Sequence, residues 1–160
     1  MHSYREQDEF ARAASLEQPK WDNRFMELAE MISTWSKDPS TKIGVIIVKD
    51  RKIKGTGYNG FPKGIDDFTK RLYDRDVKYA YTIHAEINAI LDAGTDAKDS
   101  TMYLYGMPGP PCKECSKLII QAGITEVVTR SGEEPERWKE SFDFARGLLE
   151  EARVNVRYIP

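Results

Sequence analysis

The sequence predicts a single α/β domain built around a mixed sheet of about five strands. Three observations carry that prediction. From residue 84 onward, helical and strand-like segments alternate, the pattern of helices laid against a sheet. Ahead of them stand two strand-like runs joined by four polar residues, which suits an antiparallel hairpin and makes the sheet mixed. The chain has 160 residues, enough to bury one core without disulfide staples and too few for an expected second domain.

Residues 1–19 are polar, end in Gln18-Pro19 and read as a loosely held arm on which Phe10 and Leu16 are free to dock on a neighbour. Residues 20–160 read as the folded domain. Trp21, Phe25, Leu28, Ala29, Ile32 and Trp35 recur at helical spacing, and Asp38-Pro39 ends the pattern, so a core-facing helix is expected from Trp21 to about Ser36. Ile43–Val48 and Ile53–Tyr58 form the hairpin around Lys49-Asp50-Arg51-Lys52. The stretch from Asn59 to about Tyr81 is long for a connection in a compact domain, and such loops are usually functional; a short helix is expected in it around Arg71 to Tyr79. The regular part then runs helix (His84 to Ala93), strand (Thr101 to Tyr105), helix (Cys112 to Ala122), strand (Glu126 to Arg130), helix (Glu136 to Ala152) and strand (Val154 to Ile159). Gly123 supplies the expected glycine after the second of these helices.

With 24 basic residues against 26 acidic, the chain lacks the basic excess that holds a polynucleotide backbone, which argues against a nucleic-acid partner. The longest apolar run, Ile43 to Val48, falls far short of the roughly 18 to 20 residues of a membrane span, and no targeting signal is visible. A soluble, cytoplasmic protein is expected. The two cysteines stand three positions apart, so a secreted disulfide framework is ruled out and both thiols need another explanation.

That explanation lies at two helix starts, His84-Ala85-Glu86 and Pro111-Cys112-Lys113-Glu114-Cys115. Cysteines at i and i+3 on a first helical turn point the same way, where free N–H groups and the helix dipole favour the thiolates that metal binding needs. One histidine and two thiolates leave a tetrahedral zinc with an open position, the arrangement of a catalytic site. Zinc brings the pKa of a water there toward about 7. Glu86, two residues after His84, is placed to take that water's proton and hand it to the substrate, and an apolar wall would keep it competent as an acid.

The pattern H-x-E with P-C-x-x-C is the signature of zinc nucleobase deaminases. His84-Ala-Glu86 and Pro111-Cys112-Lys-Glu-Cys115 match it. With Ser36-Lys37-Asp38-Pro39, Gly57-Tyr58-Asn59-Gly60-Phe61-Pro62, His84–Ile90 and Leu118–Gly123, the chain from about residue 21 to 159 resembles the deoxycytidylate (dCMP) deaminases of the cytidine deaminase family. The resemblance implies a three-layer α-β-α sandwich and hydrolysis of dCMP to dUMP with release of ammonia. It implies zinc on His84, Cys112 and Cys115 with Glu86 catalytic, and Asn59 beside the nucleotide's sugar or an effector. Ser36, Lys37, Lys42, Lys78 and Tyr81 are candidates for the phosphate side. It further implies a homo-hexamer activated by dCTP with Mg2+ and inhibited by dTTP.

Some relatives carry ligands for a second, structural zinc; here only His2 remains as a candidate, so one zinc per chain is expected. The segment Gly106-Met-Pro-Gly-Pro-Pro111 is longer and richer in proline than the usual lead-in to P-C-x-x-C and predicts a stiff rim beside the metal. Other readings stay open. The cysteine pair also fits a thioredoxin-like redox motif, or a structural zinc site for which His2 is a poor fourth ligand. Asn59 also fits a tight turn, and the lysines and Ser36 fit surface charges or caps. Trp138 and Phe142, a helical turn apart beside Ala145 and Leu149, read as core or subunit-interface residues. Deamination of free cytidine or of a base in nucleic acid, and a non-catalytic zinc-stabilised binding protein, are the alternatives at the level of function.

Overall fold

The computed structural model describes residues 4–160, without the side chains of residues 4, 10, 11 and 13–16. His2 and the side chains of Phe10 and Leu16 lie outside the described residues. The elements are α1 (Tyr4–Ser33), β1 (Gly44–Lys49), β2 (Lys52–Tyr58), α2 (Thr69–Tyr73), α3 (Arg75–Tyr81), α4 (Ala85–Ala93), β3 (Thr101–Tyr105), α5 (Lys113–Gln121), β4 (Glu126–Arg130), α6 (Lys139–Glu151) and β5 (Asn155–Ile159). Short 3-10 turns at Gly94–Ala97 and Glu136–Trp138 precede β3 and α6.

The five strands form one sheet in the order β2-β1-β3-β4-β5. β1 runs antiparallel to β2 and β3, while β3, β4 and β5 are mutually parallel. Strand alternation divides the core between two faces. Ile46, Val48 and Tyr103 meet Phe25, Met26, Ala29 and Ile32 of α1. Val45, Ile47, Met102 and Leu104 meet Ala85, Ala89 and Ala93 of α4, Ile119 of α5 and Leu149 of α6. The result is a three-layer α-β-α sandwich in which each fully buried aliphatic side chain contributes about 1.5–3 kcal/mol.

α4 lies unusually close to the sheet. A Cβ on Gly57 would overlap the Ala85 carbonyl and the Ala89 backbone, and one on Gly55 would stand 2.6 Å from the Ala89 carbonyl oxygen. Glycines on β2 opposite alanines on α4 thus set the height of the helix whose first turn carries His84 and Glu86.

Three expectations need correction. The first helix starts at residue 4, not Trp21, and ends at Ser33, not Ser36. Gln18-Pro19 was the reason for the boundary, but residues 17–20 are exposed, so water can take the carbonyl that proline leaves unpaired. Residues 59–81 hold two helices instead of one. They break at Asp74, whose carboxylate caps α3 by accepting from the Val77 N–H at 3.2 Å. The helix expected from Glu136 begins as a 3-10 turn, and α6 proper starts at Lys139.

Candidate active site

His84 and Cys112 are the N-cap residues of α4 and α5, and both have extended backbone. The residue before His84 is pinned to the loop after β2: Gly60 N–H donates to Ile83 O at 3.1 Å, and Ile83 N–H donates back at 2.8 Å. The His84 side chain makes no capping bond, so its imidazole is free to turn toward α5. Cys112 does cap its helix, its sulfur accepting from the Cys115 N–H at 3.5 Å. Lys113 N–H donates to Ser141 Oγ at 3.0 Å, tying the start of α5 to that of α6.

These connections bring His84 Nδ1 to 3.6 Å from Cys112 Sγ and 3.3 Å from Cys115 Sγ. Glu86, in the first turn of α4 and 6% exposed, completes the group. Among the described residues, ligand atoms of His84, Glu86, Cys112 and Cys115 all lie within 4.8 Å of one another. The donor set suits zinc, since nitrogen and sulfur ligands on a tetrahedral zinc stand about 3.6 Å apart.

The electrostatics point the same way. Burial raises the pKa of Glu86. Hydrogen bonding from Cys115 and His84 lowers Cys112 to about 4, and the same bond to Cys112, together with burial, pushes Cys115 up. The bond to Cys112 raises His84. Two thiols and a carboxyl with one imidazole form a buried cluster short of positive charge, a deficit that a divalent cation removes.

The cluster opens on a cavity of about 630 Å³. His84, Glu86 and Cys112 line it, as do Met107, Pro110 and Pro111 of the proline-rich segment. Of the other residues singled out from sequence, Asn59 and Lys78 also line it. Asn59 is buried and holds a loop: its Oδ1 accepts from Ile43 N–H and its Nδ2 donates to Thr41 O, each at 2.9 Å. Lys78 is buried beside Asp38 at 3.1 Å. Lys37 pairs with Asp67 at 2.7 Å on a smaller cleft that shares Asp38, Asn59, Leu72 and Thr82 with the cavity. Ser36, Lys42 and Tyr81 line neither. Ser36 Oγ donates to Asn59 O at 2.8 Å, Lys42 donates to Ser36 O, and Tyr81 packs on Phe61.

The cavity also draws in Arg75 and Arg137, which sequence reasoning passed over, together with Trp138 and Phe142, which it read as core or subunit-interface residues. Phe142 is buried as expected of a core residue, yet it and Trp138 stack as one wall of the cavity. No helix among the described residues is long and apolar enough to cross a membrane.

Residues 19–131 match the family model of the cytidine and deoxycytidylate deaminase zinc-binding region. The chain is 37% identical over 143 residues to an uncharacterized deaminase in the luxG 3′ region of Aliivibrio fischeri, covering 88% of this chain and 95% of that protein. It is 44% identical over 119 residues to human deoxycytidylate deaminase, covering 70% of this chain and 65% of the human protein. In three dimensions it resembles the dCMP deaminase of cyanophage S-TIM5 in complex with dCMP and dUMP, with a TM-score of 0.68 and 26% identity over 88% of this chain and 98% of that one. Fold, site and sequence together place the chain in the cytidine and deoxycytidylate deaminase family.

Proposed function

We propose that the protein hydrolyses dCMP to dUMP and ammonia. The observation that carries this is the buried cluster of His84, Glu86, Cys112 and Cys115 beside a nucleotide-sized cavity. His84, Cys112 and Cys115 would hold the zinc, one per chain. When bound, zinc supplies the Lewis acidity that makes water a competent nucleophile near neutral pH. The chain's own residues do the rest. The Glu86 carboxylate takes a proton from the attacking water and delivers it to the pyrimidine ring nitrogen. It then moves the second proton to the exocyclic nitrogen, which leaves as ammonia. Its raised pKa suits both roles, because the carboxylic acid that forms is held beside the leaving group.

At the cavity wall, Arg75, Lys78 and Arg137 supply positive charge for a 5′-phosphate. Lys78 is anchored by Asp38, and Asn59 shapes the loop at residues 41–43 on the sugar side. Residues 20–160 would form the deaminase domain, with residues 4–19 continuing α1 ahead of it. By resemblance to the family, the enzyme works as a cytoplasmic homo-hexamer, activated by dCTP with Mg2+ and inhibited by dTTP.

The test is ammonia release from dCMP, CMP, cytidine, dCTP and single-stranded DNA. Turnover of dCMP above the others is expected. Failure on dCMP together with turnover of another substrate overturns the substrate assignment.

A further inference from the structure

The loop between β4 and α6 reaches the cavity lining through Arg137 and Trp138. Backbone bonds fix its two ends: Ser131 N–H donates to Ile159 O at 2.8 Å, and Trp138 N–H donates to Pro135 O at 2.9 Å. Between them, Glu134 is the one residue of 132–136 whose side chain makes a hydrogen bond or ion pair among the described residues. Its partner is Arg146 of α6, which also pairs with Asp143 of its own helix at 2.9 Å. The same loop is packed on the proline-rich rim. A Cβ on Gly132 would stand 2.9 Å from Pro108 Cγ, and one on Gly109 would stand 3.3 Å from the Glu134 carboxyl carbon. Glu134 therefore lies where α6, the loop and the rim meet.

Arg137 stands three residues beyond this junction and has no hydrogen-bond or ion-pair partner among the described residues. A cation left without a protein partner at a cavity gains most from an anionic ligand, provided that its backbone is held in place. We propose that the Glu134–Arg146 pair is a positioning latch that seats the 131–138 loop so that Arg137 meets the 5′-phosphate, and so favours the nucleotide over the nucleoside. This rests on the deaminase reading of the site. Neither Glu134 nor Arg146 lines the cavity, so the pair acts only through the loop. Being partly exposed, it adds little to the stability of the fold. A loop released from its seat holds the phosphate less well in ground state and transition state alike, so KM rises while kcat is retained.

The experiment is a double-variant cycle on the zinc-loaded enzyme, with ammonia release from dCMP and from deoxycytidine as the readout. Arg146→Met keeps the apolar stem and removes the guanidinium. Glu134→Gln breaks the pair from the loop side and serves if the first variant fails to fold. Arg137→Met removes the phosphate contact itself and is expected to raise the KM for dCMP about tenfold. Either latch variant is expected to raise it about threefold to fivefold, with kcat kept within about twofold. Arg146→Lys, which restores the charge without the planar fork, is expected to recover part of the loss. In an Arg137→Met background, removing the latch is expected to add nothing further. Deoxycytidine has no phosphate, so its kcat/KM is expected to be unchanged by every variant. A latch variant whose effect adds in full to that of Arg137→Met, or that impairs dCMP and deoxycytidine alike, overturns the proposal. So does a KM for dCMP that neither Arg137→Met nor the latch variants move. A wild type that releases ammonia from neither substrate overturns the deaminase reading itself, whereas one active on dCMP with any of the contrary results above overturns only the latch.

Discussion

Two buried clusters of ionisable groups lie on opposite faces of the sheet, and they are built on opposite principles. Between α1 and the parallel strands, Asp22 accepts from Tyr103 Oη at 2.8 Å, from Gln18 at 2.9 Å and from both ends of the Arg157 guanidinium at 2.8 and 2.9 Å. Arg157 also donates to Glu126 at 3.0 Å. The carboxylate is matched to a cation, and the cluster is complete in itself. On the other face, Glu86, Cys112 and Cys115 crowd around a single imidazole, with their pKa values driven apart and a cavity in front of them. A satisfied buried cluster holds elements together, whereas an unsatisfied one that faces a cavity is poised to take a metal and a substrate.

Breaking each cluster should therefore give different losses. The largest is expected from Cys115→Ala, which removes one of the three proposed zinc ligands: metal content should fall to near zero with activity, as read by elemental analysis beside ammonia release. Glu86→Gln comes next. It should keep its zinc and its melting temperature while losing about 10²–10⁴-fold in kcat, and undiminished turnover would remove Glu86 from its role.

On the satisfied face the expected losses are of stability. Asp22→Ala leaves Arg157 without its main partner and should cost about 3 kcal/mol in denaturant unfolding, with kcat/KM of the remaining folded enzyme little changed. The pH dependence follows from the same carboxylate. Burial works to raise the Asp22 pKa, but hydrogen bonds from Arg157, Gln18 and Tyr103 bring it below its ordinary value. The folded state then binds fewer protons than the unfolded chain, so this stabilisation is present above about pH 4 and is lost as pH falls through the depressed value. Thermal melts from pH 6 to pH 3 should show a steeper fall for the wild type than for Asp22→Asn. Parallel curves would contradict the assignment.

The same contrast explains what could be read without coordinates. His84, Glu86, Cys112 and Cys115 were legible because each pair is local: two residues in each helical first turn carry their chemistry in their spacing. The hairpin was legible from two strand-like runs around Lys49-Asp50-Arg51-Lys52, and the later strands from their regular succession with helices. The Asp22 cluster was not, since its members come from residues as far apart as 22 and 157, and nothing in a polar residue on a helix announces its partner. Arg75 and Arg137 stayed hidden for the same reason, because only tertiary folding brings them to the cavity wall. Trp138 and Phe142 were recognised as an apolar pair, but spacing along a helix cannot tell a core wall from a cavity wall. The N-terminal helix was cut short at Gln18-Pro19 because the local rule was applied where solvent exposure softens it.

The central claim is that the unsatisfied cluster is a catalytic metal site acting on dCMP. Its most direct measurement is dCMP turnover followed as zinc is withdrawn by a chelator and then returned. Turnover is predicted to fall in proportion to bound zinc and to recover when zinc is restored. Full turnover by protein stripped to less than about a tenth of a zinc per chain would contradict the account.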